Sequence, residues 1–402
     1  MTPKAQGPLK GMRVLELSQI MAGPVCGLML ADMGADVIKI EKFPAGDDSR
    51  GYARPGDPGL APSFLMLNRG KRSVAVDIRL PQGQEVIRRL VARCDVMTEN
   101  FRRGKLDALG LGYDDLRRIQ PELIYCSISG YGPHGPLSDQ GGFDLVLQAF
   151  SGLISATGTP DGQIVKPANS VADINAGILA AVGILAAYIE RLKTGQGCKV
   201  ETSLLQASMQ QMYWFAAAYF NDGTIAKPMG TAHPLIAPYQ TFRCRTGAIA
   251  LGGGNQANWE RIAQILGHPE WLQEPRFKNG RSRVAHRAEL EALITQALSS
   301  DDAPAWVQRF DLAGVPVGPV NDVGQALEHP QVRATSMVVD VDHADGGKTP
   351  SLGLPLHFNG ASPHATSAAP YVGQHTVSVL RELDFEPGEI DALMTSGAVF
   401  QH

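Results

Sequence analysis

Residues 13–41 read RVLELSQIMAGPVCGLMLADMGADVIKIE and decide the fold class. Two apolar runs within them, Arg13–Leu17 and Asp36–Glu41, have the length and composition of buried strands. Pro24 lies where the first turn of a helix begins, and Gly34 suits the end of that helix. Strand, helix and strand in this order form a βαβ unit, whose two strands are parallel. The sequence therefore predicts a parallel sheet with helices packed on it.

The same alternation continues along the chain. Further strands are predicted at residues 73–78, 95–99, 123–128 and 199–203, and helices at residues 83–92, at a segment ending with 116–119, and at residues 204–219. Strands that alternate with helices are typical of a doubly wound α/β domain. Composition changes near Ile225: residues 239–242 and 248–251 form a predicted hairpin, followed by helices at residues 258–266, 288–298 and 303–312. This second pattern predicts a smaller α+β module.

The longest apolar stretch is residues 178–189, which read ILAAVGILAAYI. A helix that crosses a membrane needs about 20 apolar residues. The stretch is shorter, so we expect a buried helix that packs against a sheet or another subunit. Residues 1–10 contain no apolar segment of the kind that a secretory signal needs, which makes the cytoplasm the expected location.

Composition excludes several classes of protein. The 402 residues include 36 Lys and Arg and 40 Asp and Glu, a balance that argues against binding nucleic acid through a broad basic surface. Hydrophobic residues are 44% and charged residues 19%, as expected for a globular chain with a sizeable core. The five cysteines are dispersed and form no C-x-x-C, so neither a disulfide scaffold nor a zinc ribbon is predicted.

Common catalytic motifs are absent from the sequence. A βαβ start invites a dinucleotide site, but the turn at residues 18–27 reads SQIMAGPVCG in place of G-x-G-x-x-G, which weakens the interpretation as a nucleotide-binding oxidoreductase. There is no G-x-S-x-G and no H-E-x-x-H, and the ten histidines are scattered. We expect neither a metal site nor a prosthetic group.

Several stretches, taken together and in order, resemble the class III CoA-transferase family, of the formyl-CoA transferase or carnitine CoA-transferase type. They are residues 9–16 (LKGMRVLE), 22–24 (AGP), 34–41 (GADVIKIE), 67–73 (LNRGKRS), 95–101 (DVMTENF), 172–173 (AD), 193–197 (KTGQG), 314–320 (GVPVGPV) and 373–376 (GQHT). Each piece alone is a weak signal, but the ordered set runs over nearly the whole chain and is specific.

The resemblance implies an architecture beyond what periodicity predicts. It implies a Rossmann-like large domain over residues 1–222 that binds CoA, an inserted smaller α+β domain with its linkers over residues 223–325, and a return to the large domain over residues 326–402. Two chains of the family are threaded through each other as an interlocked homodimer.

The resemblance also supplies a catalytic residue. The nucleophile of the family is an aspartate at the start of an Ala- and Gly-rich helix, and Asp173 matches it. An aspartate at that place is also an ordinary helix N-cap, worth about 1 kcal/mol, and both roles are compatible. We expect the helix N-terminus to lower the pKa of Asp173 and so to keep its carboxylate ionised.

Residues for CoA binding follow from the same match. By position they are Lys42, Val76, Arg79, Asn100, Phe101, Arg102, Phe143 and Asp144. Cations among them suit the phosphates of CoA, although each taken singly is typical of a solvated surface charge. The chain departs from the family at Ala108, where an arginine is frequent, and it lacks a glycine-rich active-site loop before Tyr239. His233 and Tyr239 are candidates for lining the acyl pocket.

The predicted function is CoA transfer from an acyl-CoA donor to a carboxylic acid acceptor, through an aspartyl anhydride and an aspartyl-CoA thioester. The substrates are then a coenzyme A thioester and a small carboxylic acid, with no nucleic acid and no membrane as partner. The alternative is an α-methylacyl-CoA racemase or acyl-CoA isomerase of the same fold. That alternative needs a histidine directly before an aspartate, and here Phe143 precedes Asp144. A subunit that only binds acyl-CoA would be expected to lack Asp173.

Overall fold

The computed structural model describes residues 7–52, 61–342 and 347–402 of the chain. Most of the segment 1–10, for which no signal sequence is predicted, lies outside these residues. The chain divides into two compact units. The larger contains residues 1–153, 167–224 and 330–402, and the smaller contains residues 154–166 and 225–329.

Up to residue 224, the described residues form six strands and eight α-helices. In chain order they are β1 (Arg13–Leu17), α1 (Ala22–Asp32), β2 (Asp36–Glu41), α2 (Pro62–Asn68), β3 (Lys71–Val76), α3 (Pro81–Val91), β4 (Val96–Glu99), α4 (Tyr113–Ile119), β5 (Ile124–Ser129), α5 (Asp144–Phe150), α6 (Val171–Thr194), β6 (Lys199–Ser203), α7 (Leu204–Gln210) and α8 (Tyr213–Asp222). Short 3₁₀ helices lie at Asp48–Gly51 and Asp107–Leu109.

The remaining elements belong to the smaller unit and then to the chain's return to the larger one. The first group is β7 (Tyr239–Arg243), β8 (Ala248–Gly252), α9 (Gln256–Ile265), α10 (Gly280–Ala285), α11 (Arg287–Leu298), α12 (Ala303–Leu312), β9 (Val317–Pro319) and α13 (Val323–Glu328), with a 3₁₀ helix at Pro269–Leu272. The second group is α14 (Pro330–Ala334), β10 (Val338–Asp342), β11 (Lys348–Leu352), α15 (Thr376–Glu382), α16 (Pro387–Thr395) and β12 (Val399–Phe400).

The larger unit is built on a seven-stranded sheet with the order β12-β3-β2-β1-β4-β5-β6. Strands β1 to β6 are all parallel, and only the edge strand β12 is antiparallel, so the predicted α/β class with a parallel sheet is confirmed. The direction of strand order reverses between β1 and β4. Strands β2 and β3 are added on one side of β1, and β4, β5 and β6 are added on the other. In open α/β sheets, ligands bind at such a switch point, outside the carboxyl ends of the strands.

Alternating side chains of the strands serve two separate cores. Val14 of β1 and Val37 of β2 are buried in the layer that contains α1 and α6. Leu15 and Ile38, one residue further on, are buried in the opposite layer with α3 and α15. Glu16 and Lys39 therefore point to the same layer as Val14 and Val37, since side chains of a strand repeat with a period of two.

Helix α6 is longer than the apolar stretch from which it was predicted. It runs over 24 residues, because the flanking Val171, Asp173 and Glu190 continue the helix, and within the described residues it is long and apolar enough to cross a membrane by length and composition alone. A core helix of a soluble protein passes the same test. One face, with Ala180 and Ile184, is buried in the core, as predicted, whereas Leu192 on another face is 70% exposed.

The single helix predicted over residues 204–219 is wrong, because the structure has two helices, α7 and α8. The backbone amide of Gln211 donates to Ser208 O at 3.1 Å, three residues back. The carbonyl of Ala207, which a continuous α-helix would pair with that amide, accepts instead from Asn175 Nδ2 of α6 at 2.7 Å. A side chain from a neighbouring helix thus ends α7 early.

Candidate active site

The parallel sheet brings the predicted CoA-binding residues to one edge. Lys42 directly follows β2, Val76 ends β3, and Asn100 directly follows β4. Because β2, β3 and β4 are parallel, these residues all lie where the strands end, at what we call the carboxyl edge of the sheet. The loop between β1 and α1, residues 18–21, leaves the sheet at the same edge and beside the switch point.

The start of α6 lies at this edge because it packs on the start of α1. A Cβ atom at Gly177 would be 2.5 Å from Ala22 O and 2.8 Å from Val25 Cβ, so only glycine lets the two helices approach so closely. Asp173 is one turn before Gly177 on α6. The packing therefore places Asp173 one turn of α6 away from the contact with the start of α1.

The sequence had suggested that Asp173 is the N-cap of its helix, and this prediction is wrong. Helix α6 begins at Val171, and the N-cap residue is Ser170, whose side chain makes no capping hydrogen bond. Asp144, at the start of α5, supplies the cap from outside: its Oδ1 accepts from the Ala172 amide at 2.9 Å and lies 3.4 Å from the Asp173 amide nitrogen. The side chain of Asp173 is thus not consumed by capping.

Asp144 is itself held by a buried amide. Gln148, one turn further along α5, donates from Nε2 to Asp144 Oδ2 at 2.6 Å. Its side chain is fully buried, and its Oε1 has no hydrogen-bond partner among the described residues. The two oxygens of Asp144 therefore have separate tasks, one toward the start of α6 and one toward Gln148.

The pKa of Asp173 is raised from its ordinary value of 3.8 to about 7, the reverse of our expectation. Burial, which disfavours the charged form, is the larger cause, and the negative charge of Asp144 is the second. The helix N-terminus does not offset them, because Asp144 occupies the Ala172 and Asp173 amides, and no described residue donates a hydrogen bond to the Asp173 carboxylate. The result is a poorly solvated carboxylate.

The two predicted cations Lys42 and Arg79 are on the surface in local ion pairs. Lys42 pairs with Asp48, and both side chains are about half exposed. Arg79 is 83% exposed and donates to Asp77, two residues earlier, at 2.6 Å from Nη2 and 2.9 Å from Nε. Exposed pairs of this kind contribute little stability, so both cations are open to exchange for a phosphate.

Asn100, Phe101 and Arg102, which follow β4, each contact a different part of the larger unit. Asn100 uses both polar atoms of its side chain on the backbone of Gln19, accepting from its amide at 3.0 Å and donating to its carbonyl at 2.9 Å. The amide of Phe101 donates to Glu99 Oε2 at 2.8 Å. The Arg102 guanidinium lies against Gly141, where a Cβ atom would be 3.1 Å from its Nε.

Other predicted residues differ in their exposure and in the unit to which they belong. Val76 is buried in β3, and Phe143, the N-cap of α5, is 69% exposed. His233 and Tyr239 lie in the smaller unit, where their rings pack edge to face at 5.5 Å.

A polar cavity of about 350 Å³ lies on the larger unit beside β4, β5 and β6. Phe101 and Arg102 line it, together with Glu99, whose pKa burial raises to about 7. Asp173 and Asp144 are not among its lining residues, so this cavity is distinct from the start of α6.

Sequence reasoning missed a buried group of charges beneath the β1–α1 loop. Lys39 Nζ is 2.8 Å from both Glu16 Oε1 and Asp47 Oδ2, and Lys71 Nζ is 2.9 Å from Glu16 Oε2. All four side chains are fully inaccessible to solvent. Charged residues within the apolar runs of β1 and β2 were the available signal, because a charge in a buried strand requires a partner.

Known proteins match this chain consistently over nearly its whole length. The sequence profile described as CoA-transferase family III matches residues 9–376. The succinyl-CoA:glutarate CoA-transferase of Homo sapiens is 37% identical over 396 residues, which are 98% of this chain and 90% of the human protein. The succinate–glutarate CoA-transferase of Agrobacterium fabrum is 36% identical over 388 residues, which are 95% of this chain and 97% of that protein.

The fold is similar to that of a solved structure as well. The crystal structure of a CAIB/BAIF family protein from Brucella suis matches with a TM-score of 0.85 and 37% sequence identity. The match covers 94% of this chain and all of that one.

Proposed function

Because the chain belongs to CoA-transferase family III, and is therefore an enzyme that moves coenzyme A from an acyl-CoA to a carboxylic acid, we propose that Asp173 carries the CoA between them as a covalent nucleophile. The observation that supports this role is a poorly solvated carboxylate at the start of α6, beside the carboxyl edge of the sheet, that makes no capping hydrogen bond to its own helix.

The proposed reaction consists of acyl transfers at Asp173. Its carboxylate attacks the thioester carbonyl of the donor, the C–S bond breaks, and a mixed anhydride and CoA thiolate result. The thiolate attacks the aspartyl carbonyl, which releases the donor acid and leaves an aspartyl-CoA thioester. The acceptor carboxylate attacks that thioester, its C–S bond breaks, and a second anhydride and CoA thiolate result. The thiolate then attacks the acceptor's carbonyl in the anhydride, which gives the new acyl-CoA and releases the Asp173 carboxylate.

The environment of Asp173 favours this chemistry over hydrolysis. A carboxylate that is deprived of water is a stronger nucleophile, and both the anhydride and the thioester require that water be kept away. Asp144 raises the pKa of Asp173 by its charge, after burial as the larger cause. Once Asp173 is converted into the anhydride or the thioester it carries no negative charge, so its repulsion from Asp144 is relieved as the intermediate forms.

CoA is proposed to bind along the carboxyl edge. Lys42 and Arg79 would bind phosphates, Asn100, Phe101 and Arg102 the middle of the molecule, and Phe143 and Asp144 the pantetheine end near Asp173. Val76 would contribute backbone contacts. The support is that the strands end together and that, among the described residues, both cations are held by exposed pairs.

The proposed substrates are succinyl-CoA as donor and a short dicarboxylic acid such as glutarate as acceptor. The support is that the two relatives named above are transferases for succinyl-CoA or succinate and for glutarate.

We further propose that the larger unit is a Rossmann-like domain into which the smaller is inserted, and that the enzyme is an interlocked homodimer. The support for a partner chain is a set of exposed apolar side chains on α6 and α8: Leu192 is 70%, Tyr213 69% and Phe220 83% exposed. The cytoplasmic location stays a prediction.

A paired assay tests the proposed function. Purified enzyme is mixed with succinyl-CoA and a panel of dicarboxylic acids, and new acyl-CoA is measured by chromatography and mass spectrometry. In parallel, a 2-methylacyl-CoA is incubated with the enzyme in deuterated water. We expect glutaryl-CoA in the first assay and no deuterium in the second, whereas deuterium exchange without CoA transfer would assign the protein to the racemase branch.

A further inference from the structure

The loop between β1 and α1, residues 18–21, has a strained backbone. Ile20 has φ of +70° and is, among the described residues, the one β-branched residue with φ in the left-handed region. That conformation is unfavourable for a branched side chain and persists only when surrounding groups fix it. Strained residues of this kind are concentrated at ligand-binding and catalytic sites.

Asp47 is the group that fixes Ile20. The Ile20 amide donates to Asp47 Oδ1 at 3.0 Å and lies 3.3 Å from Oδ2. The same carboxylate accepts from the Ser49 amide at 2.9 Å and from the Ser49 hydroxyl at 2.8 Å. A hydrogen bond to a charged acceptor is stronger than a neutral one, which suits a bond that must hold a strained residue.

Asp47 is anchored from beneath the loop by the buried charges. Lys39 Nζ lies 2.8 Å from Asp47 Oδ2 and donates to the Ser18 carbonyl at 2.9 Å, so one ammonium group ties the carboxylate to the start of the loop. Glu16 in turn fixes Lys39, again at 2.8 Å. Isolated buried charges are costly, but here each has a partner of opposite sign.

The loop has the features of a place where a ligand is bound. It lies at the switch point, at the N-terminus of α1, where anionic groups such as carboxylates are favoured. Its Ser18 Oγ and Gln19 Oε1 are buried and have no hydrogen-bond partner among the described residues. The next residue, Ala22, is the one that packs against Gly177, a turn from Asp173.

We propose that Asp47, anchored by Lys39, is a positioning residue that holds the β1–α1 loop in the left-handed conformation in which it receives acyl-CoA next to Asp173. This role rests on the proposed function of Asp173 and extends it. Asp47 is buried, and its carboxylate holds the loop through the backbone amide of Ile20.

Two substitutions at Ile20 isolate the backbone from the side chain. Ile20→Gly and Ile20→Pro both remove the isoleucine side chain. Glycine accepts φ of +70° and keeps the amide that donates to Asp47, whereas proline fixes φ near −65° and has no amide hydrogen. We expect the KM for succinyl-CoA and the dissociation constant of free CoA to be about tenfold or more higher in Ile20→Pro than in Ile20→Gly, from the loss of one charge-assisted hydrogen bond. The KM of the acceptor acid should be similar in both.

A second pair of variants leaves the loop sequence intact. Asp47→Asn replaces one carboxylate oxygen by an NH₂ group, although the groups around it, such as the Ile20 amide and Lys39 Nζ, are themselves donors. The variant should raise the KM for succinyl-CoA and the dissociation constant of free CoA. Asp32→Asn is the matched control, because Asp32 is also a buried carboxylate, paired with Arg69 at 2.5 Å, but it lies at the other end of α1. Asp32→Asn should lower thermal stability without changing either constant.

The outcomes separate this role from the covalent mechanism. Equal CoA affinity in the Gly and Pro variants would overturn the proposal, as would equal CoA affinity in Asp47→Asn and Asp32→Asn; if the Pro variant does not fold, the second pair decides. Labelling of Asp173 by succinyl-CoA in the unaltered enzyme tests the covalent mechanism independently. If succinyl-CoA labels Asp173 in the wild-type enzyme while the loop variants do not differ in CoA affinity, only the role of Asp47 is rejected.

Discussion

Asp144 lies beside Asp173 with its Oδ1 3.4 Å from the Asp173 backbone nitrogen, and so two carboxylates share the start of α6. Asp144 satisfies the helix amides that an aspartate at this place would ordinarily bind, and it leaves the side chain of Asp173 unbonded and poorly solvated. A carboxyl group with a pKa of about 7 is half ionised near neutral pH. Only its ionised form attacks a thioester. This relationship leads directly to a pH dependence.

The rate of reaction with the acyl-CoA should fall as the pH decreases through about 7, because Asp173 then takes up a proton. Asp144→Asn removes one of the two causes of the raised pKa and should move this acidic limb down by roughly one unit. The variant should preserve the local geometry. Gln148 now donates from Nε2 to Asp144, and its Oε1 has no partner among the described residues. When the Gln148 amide rotates, Oε1 can accept a hydrogen bond from the side-chain amide of the introduced asparagine. The measurement is the pH profile of kcat/KM for succinyl-CoA.

Glu99→Gln is the control for that profile. Burial gives Glu99 a pKa of about 7 as well, but Glu99 lies in the cavity beside β4 to β6 and away from Asp173. An acidic limb that moves with Glu99→Gln and not with Asp144→Asn would assign the titration to Glu99 and contradict its assignment to Asp173.

Asp173→Asn should stabilise the folded protein at pH 8. Because the folded-state pKa of Asp173 is raised, its contribution to stability is greatest below the ordinary value of 3.8 and is lost as the pH rises through about 7. The asparagine has no carboxyl proton to lose and stays uncharged, so the gain should be between about 1 and 4 kcal/mol at pH 8 and should vanish toward pH 4. Urea unfolding at a series of pH values measures it, and a gain that is independent of pH would rule out this cause.

Lys42 should bind CoA more tightly when its partner is removed. Asp48→Asn frees the ammonium group from its exposed pair, and we expect the dissociation constant of CoA to fall by roughly two- to fivefold, since such a pair is worth up to about 1 kcal/mol. Lys42→Ala should raise the same constant, and more so at low salt. Calorimetric titration with CoA gives both values, and an unchanged constant in both variants would remove Lys42 from the CoA site.

Gly177→Ala should destabilise the protein and reduce turnover, because its Cβ atom would be 2.5 Å from the Ala22 carbonyl, which is backbone and cannot turn aside. The cost should be roughly 1–3 kcal/mol. Gly388→Ala in α16 is the matched control, since nothing lies within 4 Å of its added methyl group and alanine favours a helix. Thermal unfolding of both variants tests this, and equal effects would show that the contact between α1 and α6 has room for a methyl group.

The sheet could be predicted because its information is local. The runs that form β1 and β2 carry their apolar pattern and their turn residues within a few positions, and their bounds agree with the structure. The break between α7 and α8 could not be predicted, because it depends on Asn175, some thirty residues earlier, whose side chain takes a carbonyl of α7.

The candidate site was predictable to a smaller extent. The family resemblance pointed to Asp173, but its pKa depends on burial and on Asp144, and neither the distance nor the cap that Asp144 makes is visible in sequence spacing. Glu16 and Lys39 could be noticed as charges in apolar strands, yet that they meet Asp47, and that Asp47 holds Ile20, requires the folded chain.

The most direct test of the covalent mechanism is mass spectrometry of the enzyme after mixing with succinyl-CoA. Quenching with hydroxylamine or borohydride converts an aspartyl anhydride or thioester into a stable product, and peptide mapping then locates it. The covalent mechanism predicts one modified residue, Asp173, and loss of both the modification and turnover in Asp173→Asn with CoA binding retained. Modification at another residue, or turnover by Asp173→Asn at the wild-type rate, would contradict it.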